Sequence, residues 1–213
     1  MQKVARKNTT AKYNLSFTAG GILHPESMSV IEHYLQSNDW SKVKEAVSSA
    51  NILAVRTQSS GKRLIREIEL RLSWLDDSDL ELIKNLISPT EQKQALWLCI
   101  CKTYQFITDF MREIVSDKIH ALDYSITYDD YDRFYNAKSQ WNEELDKLSP
   151  STQKKIRQVL FRMLKEMDIL SDHNSIQMHN QVGSKIVYLS EKYGVNIKEI
   201  LPAYDFQEAQ SYA

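Results

Sequence analysis

The stretch LWLCICKTYQFITDF, Leu96 to Phe110, is apolar almost all round. A helix with one apolar stripe lies on a surface, whereas one that is apolar on every side must be enclosed by neighbours. This stretch therefore reads as one or two central helices. Its longest unbroken apolar run, Ala95 to Cys101, is 7 residues, far below the roughly 20 that a spanning helix needs. No membrane segment is expected. Cys99 and Cys101 point about 200° apart on such a helix, so they cannot form a disulfide there. Free cysteines in apolar sequence, with no visible signal peptide at the basic start, predict a reducing, cytoplasmic setting.

Helix signals spread outward from this centre. Ser88, Pro89, Thr90 and Glu91 have the form of a capping box with proline at the first helical position. Upstream, the pattern predicts helices from Pro25 to Gln36, from Trp40 to about Ser49 behind Asp39, and from about Gln58 to Trp74, with a short one capped by Asp76 or Asp77. Downstream, Thr127 and Asp130 form another capping box, opening a helix from Tyr128 to Leu148. Ser149 and Pro150 then start the next, in which Ile156, Val159, Leu160, Met163, Leu164 and Met167 recur at the spacing of one buried face. Phe161 falls on its polar side and is expected to pack against the segment 169–178. That segment is turn-rich and predicts a small hairpin or an irregular loop. A last helix is expected from Gln181 to Tyr193, ended by Gly194, with a short element near 197–201 and a frayed tail from Tyr204. Only 5 glycines and 4 prolines occur in 213 residues, so tight turns are few. The fold class is all-α: a compact multi-helix globular domain with two helix-turn-helix-like units. Its organisation reads as a flexible basic arm over 1–12, a helical core domain over 13–168 and a C-terminal extension over 169–213 packed on that core.

The formal charge of −1 conceals a segregated distribution. Residues 1–12, 56–71 and 150–165 together carry a net +12, and the rest of the chain carries −13. Such blocks predict a polyanion partner more readily than a mixed, solvated surface does. In RTQSSGKRLIREI, Arg56 to Ile68, the residues Gln58, Ser59 and Ser60 lie at a helix start, and Ser59, Lys62, Arg63 and Arg66 share one face. Backbone amides, hydroxyls and the helix dipole converge there on an anion. With the helix at 40–49 before it, the order is that of a helix-turn-helix, whose second helix reaches phosphates or bases from its start.

LSPSTQKKIRQVLFRMLKE, 148–166, repeats the arrangement. Ser151, Thr152 and Gln153 open the helix, and Lys154, Lys155, Gln158, Arg162 and Lys165 oppose its apolar stripe with no acidic residue between 150 and 165. Candidate DNA-binding residues are thus Arg56, Gln58, Ser59, Ser60, Lys62, Arg63, Arg66, Ser151, Thr152, Lys154, Lys155, Gln158, Arg162 and Lys165. The aromatic cluster Tyr124, Tyr128, Tyr131, Phe134, Tyr135 and Trp141 lies among carboxylates and reads as core rather than as a base-stacking platform.

Other chemistries find no support. Gly61 and Lys62 lack the glycine a phosphate-binding loop needs five residues earlier, where Arg56 stands. Asp129, Asp130 and Asp132 lack calcium-loop spacing, and the five histidines lack zinc spacing. No nucleophile is identifiable with its base, so no enzyme, cofactor or metal is expected.

The blocks SFTAGGIL (16–23), RTQSSGKRLIREI, LWLCICKTYQFITDF, Tyr131 to Leu145 and LSPSTQKKIRQVLFRMLKE, in this order, resemble the BrxA family of bacteriophage exclusion (BREX) defence systems. The resemblance covers about 16–168 and is weak after 170. It implies an all-helical protein, once compared with the RNA-binding antitermination protein NusB, that binds double-stranded DNA without known catalysis. It also implies work beside a DNA methyltransferase, an ATPase and a phosphatase-like protein. The family has sometimes been labelled an inner-membrane protein, and the 7-residue apolar limit argues against that label here. His24 with Pro25, and Gly61 within a helix, depart from the family pattern. Two other readings go with it: an adaptor that docks further BREX components, and an RNA-binding protein.

Overall fold

The computed structural model describes residues 12–206. The expected basic arm thus falls, but for Lys12, outside the described residues. A 3-10 turn, Ser16–Ala19, leads into α1 (His24–Ser37), α2 (Trp40–Ser49), α3 (Gln58–Leu72), α4 (Asp77–Lys84) and α5 (Pro89–Thr103). Then come α6 (Gln105–Phe110), a π-helical turn Met111–Val115, α7 (Ser116–His120), α8 (Tyr128–Ser139), α9 (Glu143–Asp146) and α10 (Pro150–Glu166). The chain closes with β1 (His179–Val182), α11 (Ser184–Lys192), α12 (Ile197–Ile200) and β2 (Tyr204–Phe206).

Local chemistry sets many helix starts. Asp39 accepts the N–H of Ser41 at 2.8 Å, Thr57 that of Ser60 at 3.2 Å, Asp76 that of Asp79 at 3.0 Å and Ser149 that of Thr152 at 3.3 Å. Each satisfies a helix-start donor that has no partner inside the helix. Thr127 and Asp130 cap each other reciprocally. Ser88 makes no such bond, so α5 begins on Pro89 without its box.

The apolar stretch is the centre of the protein. Ala95 to Cys101 are all buried, the Trp97 indole N–H donates to the carbonyl of Ile200 at 2.8 Å, and the chain bends at Tyr104 between α5 and α6. Burial holds the Cys99 thiol up at about 12, and it raises that of Cys101 as well. Beyond the bend, Phe106, Phe110, Tyr131, Phe134 and Phe161 form edge-to-face and tilted ring pairs joining α6, α8 and α10. Phe161 is buried, with Phe110, Tyr128 and Tyr131 as its ring partners.

Several boundaries differ from expectation. The helix expected over Tyr128 to Leu148 breaks at 140–142, where Asn142 is buried and its side-chain N–H donates to the carbonyl of Lys138 at 2.8 Å. An asparagine that satisfies a helix-end carbonyl with its own amide stops the helix instead of continuing it. The third helix ends at Leu72 rather than Trp74, and the last long one starts at Ser184 rather than Gln181. In place of a full hairpin, 169–178 closes through single antiparallel bridges, Leu170 to Ile176 and Ser125 to Ser175. The strands that do form are parallel, β1 against β2, so Tyr204–Phe206 is paired rather than frayed.

Candidate nucleic-acid interface

α3 carries the first basic group. Thr57 caps it, Ile65, Ile68 and Leu72 bury its inner face, and Gly61 allows close approach to α2. A Cβ at Gly61 would stand 3.1 Å from Val47 and 3.2 Å from Val55, which explains a glycine in mid-helix despite a cost of about 1 kcal/mol. Arg56, Gln58, Ser59, Ser60, Lys62, Arg63 and Arg66 are all exposed. None of the four cations forms an ion pair with a described residue. Ser59, Lys62, Arg63 and Arg66 line one cleft of about 650 Å³ together with Ser16, Thr18 and Ala19.

Both carboxylates of α3 are engaged, Glu69 towards α2 and Glu67 in the buried wall of this same cleft. Glu69 pairs with Lys44 on α2 at 2.8 Å. Glu67 is buried and pairs with Arg71 at 2.8 Å, where it also accepts from the hydroxyls of Tyr104 at 2.5 Å and Ser16 at 3.1 Å. Burial, then the adjacent Glu67 charge, raises the Tyr104 phenol well above its ordinary value, so it stays a donor. Arg71 donates in turn to the carbonyl of Gly21 at 2.8 Å. Buried charges need this density of partners to offset desolvation.

Arg71 and Glu67 thereby fasten the segment 16–22 to α3. Its far end is fastened to α10, where Glu166 accepts the N–H of Ile22 at 2.6 Å. The 3-10 turn packs against both helices, so segment 16–22 is a strap laid between the two basic elements. On its second side, His24, Lys93, Arg162 and Glu166 line a further cleft of about 600 Å³ that also reaches Ala19.

α10 divides into two parts. Near its start, Ser151, Lys154, Lys155 and Gln158 are exposed and Thr152 is half-buried. Neither Lys154 nor Lys155 forms an ion pair with a described residue. Further along, residues outside 150–165 engage its cations. Arg157 holds Asp132 of α8 with both carboxylate oxygens, at 2.8 and 2.9 Å, and lies over the Tyr128 ring. Arg162 pairs with Glu166 at 3.5 Å, and Lys165 donates to the carbonyl of Asp172 at 2.9 Å. Among the described residues no group of three or more His, Cys, Asp or Glu is arranged to hold a metal, and no helix is long and apolar enough to cross a membrane.

A family model for BrxA matches residues 11–184 of the chain. The chain belongs to the BrxA family. BrxA relatives include the BREX protein BrxA of Bacillus cereus (strain H3081.97), 30% identical over 132 residues, or 62% of this chain and 65% of the relative. The match thus spans just under two thirds of that relative's length. The BREX protein BrxA of Escherichia coli O9:H4 (strain HS) is 26% identical over 147 residues, 69% of this chain and 68% of its own. An uncharacterized protein from Magnetospirillum magneticum has the same fold, with a TM-score of 0.77 at 16% identity over 90% of this chain and 97% of that one.

In this BrxA-family fold, four residues that the sequence reading passed over organise the candidate surface: Glu67, Arg71, Lys93 and Glu166. Glu67 and Arg71 are four apart on α3, a legible spacing. Their burial is not legible, because it depends on carbonyls some 50 residues away.

Proposed function

We propose that this BrxA-family protein is a non-enzymatic component of BREX phage defence that binds duplex DNA, chiefly through phosphate contacts from α3 and the start of α10. One observation carries the reading. Lys62, Arg63 and Arg66 stand exposed over one cleft while the acidic residues of the same helix are buried against Arg71 or paired with Lys44. Surface cations normally share a face with exposed carboxylates, and a face whose one carboxylate, Glu67, is buried and paired draws a polyanion. The exposed hydroxyls of Ser59 and Ser60, grouped around Thr57 at the capped start of α3, add polar groups within reach of a phosphate there. Ser151, Thr152, Lys154, Lys155 and Gln158 offer the equivalent set on α10. Other BREX proteins are partners in the same setting.

The test is an anisotropy titration with a labelled 25-base-pair duplex at low salt, with an RNA hairpin as competitor. Duplex binding that weakens steeply with salt, and is lost when Lys62, Arg63, Lys154 and Lys155 become Glu, supports the reading. No duplex binding at low salt, or preferential displacement by the RNA, sinks it.

A further inference from the structure

The clefts on the two sides of the strap meet at Ala19, which lines both. On one side stand Lys62, Arg63 and Arg66 of α3; on the other, Lys93 of α5 and Arg162 of α10. These cations come from three elements far apart in sequence, and segment 16–22, bonded to Glu67 and Glu166, sets them in two adjoining clefts. Lys93 donates to the carbonyl of Glu166 at 3.1 Å, which engages one of its three N–H groups and leaves two. Glu26 and Glu166 line the cleft on the α10 side, and among the described residues Glu166 is the carboxylate that touches both the strap and a cation there, 3.5 Å from Arg162.

We propose that the DNA backbone runs across the strap from one cleft to the other, held by Lys93 and Arg162 opposite the α3 cations, and that Glu166 competes with phosphate for Arg162. The inference rests on duplex binding as read above and adds its path. It moves the contact on α10 from the helix start alone to its last turns. It also assigns Lys93, which no sequence pattern marked. A phosphate entering the cleft on the α10 side displaces the Glu166 carboxylate from Arg162 but leaves the Ile22 N–H bond available to hold the strap.

Duplex affinity and its salt dependence are compared for wild type, Lys93→Ala, Arg162→Ala, Glu166→Gln and, as a control, Glu81→Gln, a carboxylate on the exposed face of α4. Glutamine keeps a carbonyl oxygen for the Ile22 N–H and removes the charge, so Glu166→Gln is expected to bind roughly three- to fivefold more tightly, as relief of one like charge at contact distance requires. Lys93→Ala and Arg162→Ala each lower the slope of log K against log salt by about 0.9. Glu81→Gln leaves both unchanged. A gain of affinity cannot arise from misfolding, so it separates contact from structural damage. In a second measurement, Thr18→Cys supplies an accessible thiol while Cys99 and Cys101 are buried, and iron-EDTA tethered there is expected to cut the bound duplex. If Lys62→Ala weakens binding while Lys93→Ala, Arg162→Ala and Glu166→Gln leave it unchanged, or if Thr18-tethered iron leaves the duplex intact, the path is overturned and duplex binding stands. Failure of the wild type to bind overturns both.

Discussion

Glu166, the last residue of α10, accepts the backbone N–H of Ile22 at 2.6 Å across 144 residues of chain. The contact requires Gly21 beside it, because a Cβ there would lie 2.2 Å from the Glu166 carboxylate oxygen. Gly21→Ala is therefore expected to swing the carboxylate off Ile22 and lower stability by about 1 to 2 kcal/mol, the net value of a hydrogen bond to a charged acceptor. Urea denaturation reads the loss. In a Glu166→Ala background the same substitution has little left to disturb, so a double-mutant cycle should show strong coupling. Equal losses in both backgrounds would refute the clamp.

What the sequence made legible here is what neighbours along the chain decide. The start of α2 behind Asp39 and that of α10 behind Ser149 follow expectation, because each cap bonds an N–H two or three residues on. Gly194 ends the helical stretch with φ +64. The break at Asn142 escaped because its cause is burial. So did the true charge of the α10 face: Arg157 is neutralised by Asp132 and Arg162 by Glu166, so a window without acids is not a surface without them. β1 and β2 pair in parallel over a separation that no local pattern encodes.

The buried pair of Glu67 and Arg71 gives a second expectation. Removing one partner leaves an uncompensated charge in the interior, so Glu67→Gln and Arg71→Met should each cost about 3 to 5 kcal/mol. The double variant should lose markedly less than their sum. Thermal unfolding of the four proteins measures this, and strict additivity would mean that the two side chains do not depend on each other.

Asp130 sets an acid limit. Burial pushes its carboxyl up, but the N–H and hydroxyl of Thr127 and the ammonium of Lys118 outweigh it and hold the group down at about 2. A folded value below the unfolded one stabilises the protein above the unfolded value near 3.9, and the benefit fades as pH falls through the folded one. Stability should thus drop between about pH 4 and pH 2, with ~2 kcal/mol of the loss due to this residue. Asp130→Asn should be less stable at pH 7 and flatter over that acid range. An acid profile unchanged by the substitution would remove Asp130 as its source.

The two basic helices should differ in their share of salt dependence. Lys62, Arg63 and Arg66 have no ion pair among the described residues, so phosphate contact at each releases counterions without first breaking a bond. Replacing all three by Ala should reduce the slope of log K against log salt by about 2 to 3. Arg157 grips both carboxylate oxygens of Asp132, so Arg157→Ala should change the slope by much less. Each residue opposes or aids the phosphate according to the partner it already holds. If Arg157→Ala flattened the salt dependence as strongly as the α3 triple variant, engagement by Asp132 would not decide which cations meet the duplex.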